Sequence, residues 1–169
     1  MNMRYLPLLA VLAGCSPAEA PTPTVLAAEA VQAASTIGTL RDPRERTSCG
    51  GRDVSIGYSD AGLVLDGSCG RMRLEGSRLS VNVDEADAIE ASGDEVRVIN
   101  QKVGSVIVRG NGGTFNLTEA DEVILHGSRN TVLAYRIGRL RIEGSGNTVN
   151  WNEGATTAEG DGRDNSLIR

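Results

Sequence analysis

The chain has 169 residues, of which 40% are hydrophobic, 23% charged and 3% aromatic, and its formal net charge is −5. Because there is no basic surplus, this composition excludes broad electrostatic attraction to nucleic acid or to an anionic membrane surface. One histidine, three cysteines and few aromatic residues leave little material for a metal centre, a catalytic triad or a stacked cofactor, so we expect no metal and no cofactor.

Residues 1–14 have the layout of a secretory signal peptide. Arg4 supplies the positive charge, residues 5–12 form a short apolar run, and small residues follow. A run of about eight apolar residues is too short to span a bilayer, which needs about 20 residues in a helix. We therefore expect this segment to direct export and then to be removed.

Leu12, Ala13, Gly14 and Cys15 resemble the lipobox of bacterial lipoproteins. The resemblance implies cleavage before Cys15 and lipidation of its thiol, and an acyl chain contributes about 0.8 kcal/mol per buried CH₂ to membrane binding. Ser16 is similar to the residue found there in outer-membrane lipoproteins of enteric-type bacteria. The expected location is the cell envelope, on the periplasmic or surface face of the outer membrane in a Gram-negative host. The alternative is an ordinary secreted protein that loses Cys15 or leaves it idle.

Residues 15–48 are predicted to form the lipidated cysteine and a tether. Pro17, Pro21 and Pro23 stand among alanine, serine and threonine, a composition typical of linkers. Residues 24–34 are equally compatible with one short helix that covers the first end of the following domain.

An internal repeat dominates the rest of the chain. Without gaps, 17-residue blocks begin at Gly70, Asp87, Gly104, Asp121 and Gly138. An 18-residue block, 52–69, precedes them, and a degenerate block, 155–169, follows. Positions 3, 5 and 12 of the blocks are apolar, and mostly polar positions lie between them. This alternation in short β-branched runs predicts strands with one buried face.

Position 7 of every 17-residue block is a glycine. These glycines are Gly76, Gly93, Gly110, Gly127 and Gly144. A glycine that recurs between two strand-like runs indicates a corner that either needs a positive φ or has no room for a Cβ atom.

One such block cannot fold alone. Ordering its backbone costs about 17–34 kcal/mol, whereas its inward side chains return only about 6–15 kcal/mol. The difference must come from stacking, which predicts an all-β fold: a single-stranded β-solenoid over residues 49–169, with about six to seven coils spaced about 4.8 Å apart. Right-handed winding is favoured. The alternative, a β-sandwich of hairpins, does not usually keep a gapless register.

Two cysteines fit the same geometry. Cys49 and Cys69 are 20 residues apart, about one coil. Stacked residues lie about 5 Å apart, within disulfide range, and an exported protein enters an oxidising compartment. The spacing predicts a Cys49–Cys69 disulfide and leaves Cys15 for the lipid.

Three C-terminal segments share a glycine-initiated motif in which asparagine precedes threonine or serine. They are Gly-Ser-Arg-Asn-Thr-Val at 127–132, Gly-Ser-Gly-Asn-Thr-Val at 144–149 and Gly-Arg-Asp-Asn-Ser-Leu at 162–167. They resemble a bacterial domain-of-unknown-function family of exported proteins with Gly-Ser-Asn-Asn-Thr-Val-like repeats, over roughly residues 49–169. The resemblance implies a β-helical fold and an envelope location, and members often carry an early cysteine pair. It implies no activity.

The outward positions offer few candidates for chemistry. His126 is the one histidine, and its column neighbours are Arg109 and Glu143, which makes a Glu143–His126 pair plausible. Zinc bound by Cys49, Cys69 and His126 is excluded, because about three coils, or about 15 Å, would separate the histidine from Cys69.

The acidic turns 84–87 and 119–122 are weak candidates for calcium. Position 16 alternates in sign from coil to coil, through Glu85, Lys102, Glu119, Arg136 and Glu153. A solvated charge ladder is therefore favoured over a binding stripe.

A threonine column at position 11 contains Thr114, Thr131 and Thr148. The companion column at position 13 holds Asn82, Ile99, Asn116, Leu133 and Asn150. This mixture argues against an ice-binding surface, which presents paired threonine ladders, and favours a structural ladder.

These observations predict a non-enzymatic, lipid-anchored cell-envelope protein with a structural or interaction role. Its expected partners are the membrane, through the anchor, and an envelope protein or polysaccharide, with no nucleic acid. One alternative is a carbohydrate-active enzyme that uses Glu122, His126, Arg139 and Glu143. Another is a glycan- or calcium-binding module on a β-helix.

Overall fold

The computed structural model describes residues 38–155 and 157–169 and contains strands and turns but no helix in these ranges. The predicted signal peptide, Cys15 and the segment 24–34 lie outside the described residues. The strands are β1 (Leu40–Arg41), β2 (Glu45–Ser48), β3 (Val54–Ile56), β4 (Ala61–Leu74), β5 (Leu79–Ala91), β6 (Arg97–Val108), β7 (Thr114–Leu125), β8 (Thr131–Ile142), β9 (Thr148–Gly154) and β10 (Ser166–Ile168).

All ten strands belong to one parallel sheet. Its order is β1-β3-β4-β5-β6-β7-β8-β9-β10, and β2 pairs with β4 beside this path. Each long strand thus pairs with the next one in the sequence, which is possible for parallel strands only when the chain makes a full turn between them. The predicted all-β solenoid is confirmed, with about eight turns, and a hairpin sandwich is excluded because hairpins require antiparallel pairs.

The pairing register is the 17-residue repeat itself. Val106 pairs with Val123, and Val123 pairs with Leu140, so these core residues lie in one column. The one 18-residue coil keeps this alignment through an irregularity between Leu65 and Ser68. The extra residue is absorbed there without displacing the apolar columns that follow.

The solenoid begins before the predicted boundary at residue 49. Leu40 pairs with Val54, and Glu45 pairs with Leu63, so the last residues of the predicted tether form an additional turn. This turn explains why there are about eight coils rather than six to seven. The repeat hides it because only 14 residues separate Leu40 from Val54.

Inward side chains fill the solenoid from end to end. In β6 the residues Val98, Val103, Val106 and Val108 are buried, and the polar residues between them face outward. The alternation of inward and outward residues breaks twice along the strand, and each break turns the backbone through a corner of the coil. Outward side chains therefore stand on short flat sides, and inward ones form the core.

The position-7 glycines are required for space and not for their φ angle. Their φ angles are not positive. A Cβ atom built on Gly127 would overlap the carbonyl oxygen of Gly110, one coil earlier, and Gly93, Gly110 and Gly144 meet their predecessors in the same way. Of the two explanations that the sequence left open, the lack of room for a Cβ is therefore the one that holds.

The positive φ angles occur two residues later, at position 9. Arg78, Glu95 and Arg129 have φ angles of 52°, 57° and 57°, and Gly112 and Gly146 have 68° and 67°. Each coil thus turns through a left-handed residue, a conformation that glycine adopts without strain and other residues adopt at a cost.

Buried asparagines clamp these corners. The Gly113 N–H donates to Asn130 Oδ1 at 2.7 Å, and Asn130 Nδ2 donates to the Gly110 carbonyl at 3.0 Å. One side chain thereby holds both ends of the preceding coil's corner. Asn147 repeats the arrangement on the corner from Gly127 to Asn130, with bonds of 3.1 and 2.8 Å.

Position 8 forms a second, more exposed ladder. The Asn111 N–H donates to Asp94 Oδ1 at 2.7 Å, and the Ser128 N–H donates to Asn111 Oδ1 at 2.9 Å. The Ser145 N–H in turn donates to Ser128 Oγ at 3.2 Å. The motif that begins Gly-Ser and continues with Asn therefore describes one corner: glycine for space, serine for a backbone N–H, and asparagine for the clamp.

The disulfide predicted from spacing is present. Cys49 and Cys69 are bonded, with their Cα atoms 4.9 Å apart, and both side chains are buried. The bond joins neighbouring coils near the beginning of the solenoid.

Substitution of a position-7 glycine tests the close approach of the coils. Gly127→Ala should lower the free energy of unfolding by about 3 kcal/mol or more, because the Cβ meets backbone that cannot rotate away. Gly62→Ala is the control, since nothing lies within 4 Å of its added Cβ, and it should change stability by less than about 1 kcal/mol. Denaturant titration measures both, and equal effects would contradict the account.

Removal of a clamp tests the asparagine ladder. Asn147→Ala leaves the Asn130 N–H and the Gly127 carbonyl without this partner, and it should cost about 2–4 kcal/mol in unfolding free energy. Asn152→Ala, at an exposed asparagine, should stay within about 0.5 kcal/mol of the parent. A small loss at Asn147, comparable with that at Asn152, would show that the clamp is dispensable.

Candidate functional site

The predicted His126–Glu143 pair is formed. His126 Nδ1 lies 2.6 Å from Glu143 Oε2, across neighbouring coils. Because a carboxylate can only accept, Nδ1 carries the hydrogen. Arg141 Nε donates to the other oxygen of Glu143 at 2.8 Å. The hydrogen bond from His126, and then that from Arg141, lowers the pKa of Glu143.

Other charges on this side of the solenoid also pair between coils. Arg139 Nη1 is 3.3 Å from Glu122 Oε1. Arg71 and Arg73 approach Glu90 at 3.8 and 4.0 Å. Arg109, the other neighbour of His126 in its column, has no ion-pair partner within 4.0 Å among the described residues.

This cluster has part of the chemistry of a catalytic dyad. A carboxylate that accepts from Nδ1 orients an imidazole so that its other nitrogen can take up a proton. However, no serine, threonine or cysteine side chain forms a hydrogen bond with His126 in the part of the chain that the structure describes. Each of Glu122 and Glu143 is also engaged by an arginine. The geometry is that of an ion-pair ladder that braces the surface.

The acidic turns do not form a metal centre. Asp84 Oδ2 accepts the Gly67 N–H at 2.8 Å, and Glu85 Oε2 accepts from Ser68 Oγ at 2.9 Å. Within residues 38–155 and 157–169, no three histidine, cysteine, aspartate or glutamate side chains converge on a possible ion position.

The position-16 charges stack as the repeat predicts. Glu85 pairs in register with Lys102, Lys102 with Glu119, and Glu119 with Arg136. No two of these side chains approach within the 4.0 Å of a salt bridge in the described residues. They form a column of alternating sign at one edge of a flat side.

A mixed-charge hollow follows the left-handed corners. It has a volume of about 660 Å³, and Arg78, Asp94, Glu95 and Arg129 contribute to its lining. Asp94 already belongs to the position-8 ladder, and Arg78 forms a salt bridge with Asp60. These side chains brace the corners, so the hollow is a consequence of the turn.

An uncharged groove is the feature that bracing does not explain. We call it the axial groove. It has a volume of about 800 Å³, and thirteen residues line it. They are Asn82, Val83, Ile99, Asn100, Gln101, Asn116, Leu117, Thr118, Leu133, Ala134, Tyr135, Asn150 and Asn152. They come from five successive coils, so the groove runs along the solenoid for about 19 Å.

Apolar side chains remain exposed in the axial groove. Ile99, Leu133 and Tyr135 keep 47%, 44% and 49% of their surfaces accessible, and they are three of the five large hydrophobic residues that stay exposed in the described part of the chain. The Tyr135 hydroxyl donates to Glu153 Oε1 at 2.8 Å, which holds the ring in place at the groove edge.

Amide side chains alternate with the apolar ones. In the position-13 column, Asn82, Asn116 and Asn150 stand between Ile99 and Leu133. Asn116 Oδ1 has no hydrogen-bond partner in the described residues. The groove thus combines apolar contact surface with groups that both donate and accept hydrogen bonds.

Sequence reasoning identified the position-13 column but did not recognise the groove. It used the column to argue against an ice-binding surface. The available signal was the absence of charge from outward positions 13 to 15 between coils 87–103 and 138–154. Tyr135 was missed because it breaks the repeat at a position where the other coils carry polar residues.

The depressed pKa of Glu143 predicts a pH-dependent contribution to stability. Because the pKa is lower in the folded chain, the contribution is fully present above the pKa of an unfolded glutamate, about 4.3, and is lost as pH falls through the folded-state value. Glu143→Gln should therefore lower the melting temperature at neutral pH by a few degrees at most and leave it unchanged in strong acid.

The matched control for this experiment is Glu75→Gln. Glu75 stands in the same outward column and forms no ion pair within 4.0 Å among the described residues. Its substitution should change the melting temperature less than Glu143→Gln does at neutral pH. A Glu143→Gln effect that is constant from neutral to acidic pH would contradict the assignment.

Comparisons with known proteins bear on the family. In residues 38–155 and 157–169, no helix is long and apolar enough to cross a membrane. No curated protein and no solved structure matches the chain. Residues 56–112 and 108–164 each match a family described as a protein of unknown function, DUF3060. Since the two matches together cover more than half of the chain and follow the solenoid repeats, the protein belongs to the DUF3060 family.

Proposed function

We propose that this protein is a non-enzymatic, lipid-anchored protein of the cell envelope, in which a rigid solenoid serves as a structural or interaction module. The observation that carries the proposal is the unbroken 17-residue register from β5 to β9. Clamped corners and a filled core make such a solenoid stiff, and its flat sides present outward columns at regular spacing. A stiff module of this kind suits contact with an extended partner.

The anchor is proposed from the sequence. Leu12, Ala13 and Gly14 before Cys15 support lipidation at that cysteine, after export directed by residues 1–14. Twenty-four residues separate Cys15 from the first strand at Leu40, and as a flexible chain they would reach about 25–30 Å. The Cys49–Cys69 disulfide supports the proposal of an oxidising compartment.

A carbohydrate-active enzyme is the second candidate. The His126–Glu143 hydrogen bond, with Glu122 and Arg139 beside it, is the observation that favours it. Cleavage of envelope polysaccharide that is lost in His126→Ala would support this candidate. We favour the interaction role because the same carboxylates hold arginines in a ladder that continues along other coils.

The lipid anchor is tested by the mature N-terminus of the protein expressed in a bacterial host. We expect the processed chain to begin at Cys15, to carry acyl chains by mass spectrometry, and to enter the detergent phase on phase separation. Cys15→Ser should remain unprocessed and without acyl chains, whereas Ser16→Ala should behave as the parent. A mature chain with an unmodified Cys15, or one that begins elsewhere, would contradict the proposal.

A further inference from the structure

The axial groove is distinguished by its lack of charge. In the chain, 23% of residues are charged, yet none of the thirteen groove residues is. Charged side chains resume at the groove edge, in the position-16 column. A groove without cations is unsuited to an anionic polymer, and the net charge of −5 adds to the repulsion. The ligand that fits is uncharged.

The arrangement of groups narrows the ligand further. Amide side chains both donate and accept hydrogen bonds, as hydroxyl groups do. Ile99, Leu133 and Tyr135 provide apolar surface for the C–H faces of a ring. Asn116 Oδ1 lacks a partner in the described residues, and a small rotation of the amide would let it accept from a ligand hydroxyl.

The shape of the groove indicates an extended ligand. Five coils contribute the same column, so similar groups recur about every 4.8 Å along the axis. A linear polymer with a regular repeat can use successive coils in the same way. An extended peptide fits less well, because the groove lies on the face of the sheet, where the backbone groups already pair with neighbouring coils and no strand edge is free for β-augmentation.

We propose that the axial groove binds a linear, uncharged glycan along the solenoid axis. The amides of Asn82, Asn116 and Asn150 hydrogen-bond to sugar hydroxyls, while Leu133 and Tyr135 pack against ring faces. This inference rests on the proposed interaction role and names its ligand class. It does not depend on the anchor, because every groove residue lies within the solenoid.

The test is isothermal titration of the full chain carrying Cys15→Ser with three neutral β-linked hexasaccharides, of glucose, N-acetylglucosamine and mannose. We expect at least one to bind, with polygalacturonate and an uncharged decapeptide giving no heat. Asn116→Asp removes a donor and adds a charge with little change in shape, and Leu133→Lys places a charge on the apolar surface. Each should weaken binding about tenfold.

Ile124→Lys is the matched control, because it makes the same kind of change on another side of the solenoid, one coil earlier, and it should leave binding unchanged. Melting temperatures show whether each variant is folded, and the near-isosteric Asn116→Asp keeps the test valid if Leu133→Lys is not. No heat with any hexasaccharide, equal weakening by Ile124→Lys, or binding of the peptide alone would overturn the inference. Lipidation of Cys15 is measured separately, so failure here leaves the anchor proposal intact.

Discussion

Hydrogen bonds between successive coils hold the structure together, because no coil of 17 residues can offset its own loss of conformational entropy. Each backbone segment from β4 to β9 pairs with the coil before it and the coil after it in the same register. Val106, Val123 and Leu140 bury one another only because this register stacks them. The apolar columns, the disulfide and the outward ladders all depend on that alignment.

The corners convert this stacking into a rigid body. A glycine at position 7 lets the coils approach closely, a left-handed residue turns the chain, and an asparagine from the next coil closes the turn. Since these tasks fall to the corners and to inward positions, the outward positions of the flat sides remain free to vary. The charged side with His126 and the uncharged axial groove are two uses of that freedom on one scaffold.

The sequence predicted much of this architecture, because a gapless repeat reports directly which residues share a column. It predicted the Cys49–Cys69 bond for the same reason. It could not place the first turn, since Leu40 and Val54 do not keep the repeat spacing. It also could not choose between the two explanations of the position-7 glycines, because a clash with the previous coil's carbonyl depends on coordinates. The groove required knowledge of which outward columns adjoin one another.

The stacking of residues 17 apart is tested most directly by nuclear Overhauser effects between side-chain methyl groups in solution. The account predicts contacts between Val106 and Val123 and between Val123 and Leu140, but none between Val106 and Leu140, which lie two coils, or about 10 Å, apart. Methyl contacts at the variable sequence separations of antiparallel hairpins, with none at a separation of 17, would contradict it.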